Sequence, residues 1–141
     1  MGTRRKARET ALQFLFQDDF QHKYPLEADD LEERFALFCG LYQVNSKAKE
    51  YALVLIRQTI ANSGQIDALI RQCAKNWRLE RIAYADRNLL RIAVCEMLYC
   101  EDVPHQVSIN EAVEIAKRFG SAESSAFVNG ILDAVNKHIQ E

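Results

Sequence analysis

Apolar positions recur at helical spacing along nearly the whole chain, and nowhere do they alternate with the two-residue period of a strand. From near Arg5, the residues Ala7, Ala11, Phe14 and Leu15 fall at the i, i+4, i+7, i+8 positions of one helix face. Pro25, after the polar Gln21-His22-Lys23, closes this unit because proline biases its predecessor away from helix. The pattern predicts a second helix over roughly 27–42, acidic at first (Glu27, Asp29, Asp30, Glu32, Glu33) and apolar later (Phe35, Leu37, Phe38, Leu41). Asn45 or Ser46 can cap a third helix carrying Tyr51, Val54 and Leu55, which Asn62-Ser63-Gly64 ends. A fourth, about 65–76, holds Ile66, Leu69, Ile70 and Cys73, with Trp77 bridging onward.

The stretch over about 79–101 has almost no solvated face in its second half, where Leu89, Leu90, Ile92, Ala93, Val94, Cys95, Met97 and Leu98 surround the axis. A helix apolar all round is packed on several sides, so it should be central. Ser108 and Glu111 have the spacing of a capping box, which would open a helix that Gly120 stops. A last helix over about 122–138 shows Phe127, Ile131, Leu132, Ala134 and Val135, with Gly130 expected at a close helix crossing. About seven helices make an all-α bundle, divided internally at Pro25 or at Asn62-Ser63-Gly64.

Length and composition agree with one domain of this kind. A chain of 141 residues can bury a sizeable core, and 48% hydrophobic with 27% charged residues describes an ordinary globular protein. No run approaches the roughly 18–20 apolar residues that cross a bilayer, and no apolar signal segment follows the basic N-terminus, so a cytoplasmic protein is expected. Cys95 and Cys100 have the loosest spacing a zinc pair uses, with only His105 nearby to add a ligand, so neither a metal nor another cofactor is expected. His22, His105 and His138 are scattered, and no nucleophile motif accompanies them, so no enzyme chemistry is legible.

Charge changes the picture. The net charge is only −2, yet Arg4, Arg5, Lys6 and Arg8 against Glu9 give the first ten residues +3, leaving −5 on the other 131. Cations at a helix start oppose the macrodipole, each unfavourably by about 0.3–1 kcal/mol at low salt. Either this is a frayed, solvated terminus, or an anion such as phosphate favours the cluster. Arg87 and Arg91, one turn apart on the central helix beside Asp86, require either a helix–helix ion pair or a docking partner at a polar window. Phe16, Trp77 and Phe127 are expected mainly in the core, although small residues before Phe127 leave its ring accessible for base stacking.

Four segments together carry a family resemblance. They are Arg4-Arg5-Lys6-Ala7-Arg8-Glu9 with Ala11-Leu12-Gln13; Asp86-Arg87-Asn88-Leu89-Leu90-Arg91-Ile92-Ala93 with Glu96; Val107-Ser108-Ile109-Asn110-Glu111-Ala112-Val113-Glu114-Ile115-Ala116; and Phe127-Val128-Asn129-Gly130-Ile131-Leu132-Asp133. In order and separation they resemble the NusB family of transcription antitermination factors. The resemblance implies two small helical bundles, about 1–64 and 65–141, within one domain that is not an enzyme. It implies pairing with the ribosomal protein NusE, binding of single-stranded boxA RNA in rRNA leader transcripts, and action with other Nus factors on RNA polymerase to suppress premature termination.

By position, Arg4, Arg5, Lys6 and Arg8 look like the family's arginine-rich RNA-binding motif, and Gln13, Phe16 and Phe127 fall where further RNA contacts lie. Glu123 stands near that surface, where its charge is expected to restrain binding. Glu80, Asp86 and Arg91 fall near the face for the ribosomal protein. Four phosphate contacts would give a slope of about −3 for log affinity against log salt. The competing reading is a ribosomal-protein chaperone in ribosome biogenesis without direct RNA recognition. An rRNA methyltransferase's helical domain is disfavoured by the lack of a Gly-rich cofactor segment, and homodimerisation that covers the arm is left open.

Overall fold

The computed structural model describes residues 2–20 and 30–140. Within them the chain is all-α: α1 (Thr3–Phe20), α2 (Leu31–Tyr42), α3 (Ser46–Ala61), α4 (Ser63–Cys73), a 3-10 turn at Leu79–Arg81, α5 (Tyr84–Tyr99), α6 (His105–Phe119) and α7 (Ala122–Gln140). Pro25, His22 and the acidic Glu27 and Asp29 lie outside the described residues.

The helix over 84–99 is the central one. Every residue from Asn88 to Met97 is buried, and α1, α3, α4, α6 and α7 all pack on α5. Leu15, Leu55, Ile56, Ile70, Leu90 and Leu132 are among the fully buried side chains that join these helices into a hydrophobic core. On the outer side of α1, Phe14 meets Phe35 and Phe38 of α2 edge-on, each at 5.5 Å between ring centres, a favoured aromatic geometry.

Several boundaries differ from the sequence reading for identifiable reasons. The central helix does not begin at 79. Leu79 and Ile82 are buried three residues apart, as in a helix, but they sit on a 3-10 turn followed by extended backbone at Ile82 and Ala83. Asn45 caps α3 by accepting from the Lys47 N–H at 2.8 Å. Ser108 is not a cap. Helix α6 starts three residues earlier, after Pro104, whose carbonyl accepts from the Val107 and Ser108 N–H groups. Reciprocal capping occurs instead at the start of α7, where the Ser121 hydroxyl accepts from the Ser124 N–H at 3.2 Å and the Ser124 hydroxyl from the Ser121 N–H at 3.3 Å. Gly120 is the glycine with a tight neighbour, since a Cβ there would lie 2.7 Å from the Ser124 Cβ. Gly130 marks no close crossing, because it is exposed with open space where its Cβ would be.

Arg87 and Arg91 resolve as ion pairs between helices. Asp19 of α1 receives two hydrogen bonds from Arg87, at 2.6 and 2.7 Å, one from Asn88 at 2.8 Å and one from Arg91 at 3.1 Å. Arg91 also pairs with Asp67 of α4 at 2.9 Å. Burial alone would raise the Asp19 carboxyl, but the hydrogen bonds from Arg87 and Asn88 and the two guanidinium charges hold it below the ordinary range. Its stabilising effect is therefore complete above the unfolded value of about 3.9 and is lost as pH falls through the lower folded value. Asp19→Asn is expected to destabilise the fold by about 3–5 kcal/mol in urea unfolding, since it breaks a buried pair. It should also flatten the decline of thermal stability below about pH 4.

Candidate nucleic-acid interface

The basic cluster forms the first two turns of α1, and carboxylates from α5, α6 and the loop between them dock it on the bundle. The buried guanidinium of Arg8 donates to Glu96 at 2.8 Å and to Glu111 at 3.3 Å. Glu96, itself 1% exposed, also accepts from the hydroxyls of Tyr51 at 2.5 Å and Ser108 at 2.7 Å, so both its oxygens are satisfied. Ser108 and Glu111, read from sequence as a cap, thus serve this ionic network.

Nearer the surface, Arg5 forms a two-point fork with Glu111 at 2.6 and 2.9 Å. The hydrogen bonds from Arg5 hold the Glu111 carboxyl below its usual value, and the same fork raises the Arg5 guanidinium. Arg4 donates to Asp102 at 2.8 Å and lies over the Tyr51 ring, 4.3 Å from its centre. The hydrogen bond from Arg4 likewise lowers the Asp102 carboxyl. Lys6 is exposed. Arg4, Arg5 and Lys6 therefore present cations outward from a docked helix, whereas Arg8 is corrected from a surface cation to an internal one.

Beyond the arm, side-chain ion pairs link α1 to α6. Arg5 meets Glu111 and, a turn on, Glu9 accepts from Arg118 at 3.2 Å. Then Leu12, Gln13 and Phe16 line a hollow of about 380 Å³ with Phe119, Tyr42 and Ala85. Gln13 is exposed and Phe16 is 36% exposed, so Phe16 is a surface ring rather than the expected core residue. It stacks on Phe20 and meets Tyr84 edge-on.

A second hollow, of about 370 Å³, follows from the next residue of α5, Asp86, to Phe127. Its rim includes exposed Glu123, one turn before Phe127 on α7. Phe127 is half-buried, and its ring meets Trp77 at 5.2 Å and 78°. Trp77, expected in the core, is 56% exposed.

The three residues expected at a protein-partner face are not equivalent. Glu80 is exposed and accepts from Arg71 at 3.2 Å, and half-buried Asp86 accepts from Ser124 at 3.1 Å. Arg91 is only 4% exposed and pairs with Asp67 and Asp19, so its place is corrected from the surface to the interior between α1, α4 and α5.

Sequence reasoning missed Tyr51 as the ring beneath Arg4, Glu111 as the counter-ion of Arg5, and Arg118 beside the α1 face. Only the spacing of Arg5, Glu9 and Gln13 along one helix stripe hinted at such a line. Among the described residues, no group of three or more His, Cys, Asp or Glu converges as metal ligands, and no helix is long and apolar enough to cross a membrane. Burial pushes the Cys95 thiol up to about 12, which leaves it protonated and unreactive near neutrality.

Among known proteins, the NusB family profile matches residues 5–137. The transcription antitermination protein NusB of Desulfotalea psychrophila is 55% identical over 141 residues, covering 100% of both chains. The solved structure of T. maritima NusB is 40% identical, covers 95% of this chain and 90% of its own, and superposes with a TM-score of 0.82. A chain in the crystal structure of antitermination factors NusB and NusE in complex with dsRNA is 27% identical, with 98% of each chain covered and a TM-score of 0.81.

The two kinds of arginine in the arm should separate by stability. Glu96→Gln removes the charge opposite buried Arg8 and is expected to cost about 3–5 kcal/mol in urea unfolding. Arg4→Ala removes an exposed pair and should change stability by no more than about 1 kcal/mol.

Proposed function

The chain belongs to the NusB family, and we propose that it is an RNA-binding transcription antitermination factor that pairs with the ribosomal protein NusE on boxA RNA of rRNA leader transcripts. In this reading it acts in the cytoplasm by binding rather than catalysis, and joins other Nus factors on RNA polymerase to suppress premature termination. The observation that carries the reading is the docked arm, with Arg4, Arg5 and Lys6 presented at one end of a face that continues past Gln13 and Phe16 to Phe127.

The physical division of labour is that of single-strand recognition. Cations track phosphates, and rings or planar groups receive unstacked bases. Arg5 is held in its fork by Glu111, so its guanidinium is oriented before RNA arrives, and a phosphate meets it at small cost in side-chain freedom. Gln13 supplies amide hydrogen bonds, while Phe16 and Phe127 supply ring surface. With three accessible cations in the arm of a chain whose net charge is −2, the electrostatic attraction there is modest. A cationic ribosomal protein beside Glu80 and Asp86 would complete the positive surface, drawn by those carboxylates. A homodimer that covered the arm would compete with RNA, and would be seen as a doubled mass in solution that RNA reverses.

With Arg8 internal, the arm's contribution to the slope of log affinity against log salt falls from four contacts to three, about −2. Replacing Arg4, Arg5 and Lys6 together by Ala should remove that portion in RNA titrations with NusE present, and an unchanged slope removes the arm from the RNA site. Glu123→Gln is expected to tighten RNA binding by relieving repulsion beside Phe127. Unchanged or weaker affinity refutes that role for Glu123.

A further inference from the structure

Helix α2 carries apolar residues on two opposite faces. Leu31, Phe35, Phe38 and Cys39 are buried against the bundle, while Ala36, Leu37, Gly40 and Leu41, on the other side of the same helix, are exposed. Leu41 at 71% and Leu37 at 67% are the most exposed large apolar side chains among the described residues. A single exposed leucine is ordinary, but two leucines one turn apart with two small residues beside them make a continuous apolar strip, which marks a contact surface. Gly40 is a glycine that the chain itself does not require. It lies within a helix, where glycine is unfavourable relative to alanine, its φ is not positive, and nothing lies within 4 Å of where a Cβ would be. What it provides is room for a second backbone beside the leucines.

Opposite charges bound the strip. In the first turn, Asp30 and Glu32 are engaged by Arg34 and Arg57, which leaves exposed Glu33 on the same face as the leucines. At the other end, Gln43 to Asn45 lead into α3, whose exposed Lys47 and Lys49 outnumber Glu50. Lys49 stands close enough to Cys39 to counter part of the rise that burial gives its thiol, so this positive end adjoins the last turns of α2.

We propose that two copies of the chain pair through this strip, α2 lying antiparallel on α2 about a two-fold axis near Leu37 and Gly40, with Glu33 of each copy facing Lys49 of the other. A two-fold contact needs a self-complementary surface, and this one is apolar in the middle, acidic at one end and basic at the other. A parallel alignment would set Glu33 on Glu33. A partner carrying one sign of charge would be repelled at one end, whereas a second copy matches at both. One 12-residue helix per chain makes a small interface, so the pairing is weak and depends on concentration. The strip is also separate from the arm, because α2 meets α1 through Phe14 and Asp18, beyond the residues that present cations. Pairing through α2 is therefore compatible with RNA on Arg4, Arg5 and Lys6.

Sedimentation equilibrium of the full chain over a range of concentrations tests this. A mass that rises toward two chains is expected. Leu37→Asp should raise the dimer Kd by about 30-fold or more with helical content unchanged, since the side chain is exposed in the single chain. Glu33→Lys and Lys49→Glu should each weaken self-association by placing like charges together. An equimolar mixture of those two variants should pair again, because every Glu33–Lys49 contact is restored with its signs exchanged. The chains should stay paired when single-stranded boxA RNA is added.

A mass that remains that of one chain up to about 1 mM, a concentration at which a pairing worth about 4 kcal/mol would show, overturns the proposal. A dimer that ignores Leu37→Asp and separates on adding RNA also overturns it, since the arm is then the interface. A single chain whose binding to the ribosomal protein is lost in Leu37→Asp overturns it in favour of that partner on the strip. A mixture of Glu33→Lys and Lys49→Glu that pairs no better than either variant alone overturns the antiparallel arrangement.

Discussion

Arg8 and Glu96 meet inside the bundle at 2.8 Å, and the placement of the first helix depends on that contact. A guanidinium and a carboxylate buried together are tolerated only when their remaining hydrogen-bonding capacity is filled. Tyr51 from α3, Ser108 from α6 and Glu111, which also accepts from Arg8, fill it. Four helices thus converge on one ion pair. The pair offers less net energy than an apolar core of equal volume could, but together with the second anchor at Asp19 it specifies position, because a one-turn slide that brought Arg4 opposite Glu96 would carry Asp19 away from Arg87 and Arg91.

The same carboxylates explain how a helix can begin with cations. Arg4, Arg5, Lys6 and Arg8 act against the helix dipole, and the opposing charge comes from Asp102, Glu111 and Glu96, remote in sequence and adjacent in space. Arginine serves better than lysine here, since its fork can engage Glu111 at two points and still direct other N–H groups outward. The cluster is therefore neither a frayed end nor a row of equivalent charges. Its innermost member secures the helix and the outer ones face solvent.

Much of the fold was legible because burial follows helical period. Leu89 to Met97 announced a central helix, and Asn45 announced a start. The misreadings share a cause: local pattern does not reveal which tertiary partner claims a residue. Ser108 has the spacing of a cap, but Pro104 opens the helix earlier and Glu96 takes the hydroxyl. Leu79 and Ile82 keep helical spacing across a segment that is not helical. Trp77 is apolar enough for the core, yet those two neighbours occupy the interior first. At the candidate interface, the basic residues and Phe127 could be picked out from sequence, while the separation of Arg8 from the other three required knowledge of where Glu96 lies, 88 positions away.

Helix α1 is pinned to α5 twice, by Arg8 to Glu96 near its beginning and by Asp19 to Arg87, Asn88 and Arg91 near its end. The two anchors run in opposite order along the partner, so the helices are antiparallel, and neither a roll about the axis nor a slide along it satisfies both. The solvent-facing stripe consequently has a fixed phase and length. From Arg5 to Phe16 it measures about 16 Å at 1.5 Å per residue. Such a helix works as a ruler: whatever lies along it must match an interval set by the protein's interior and not by the visitor.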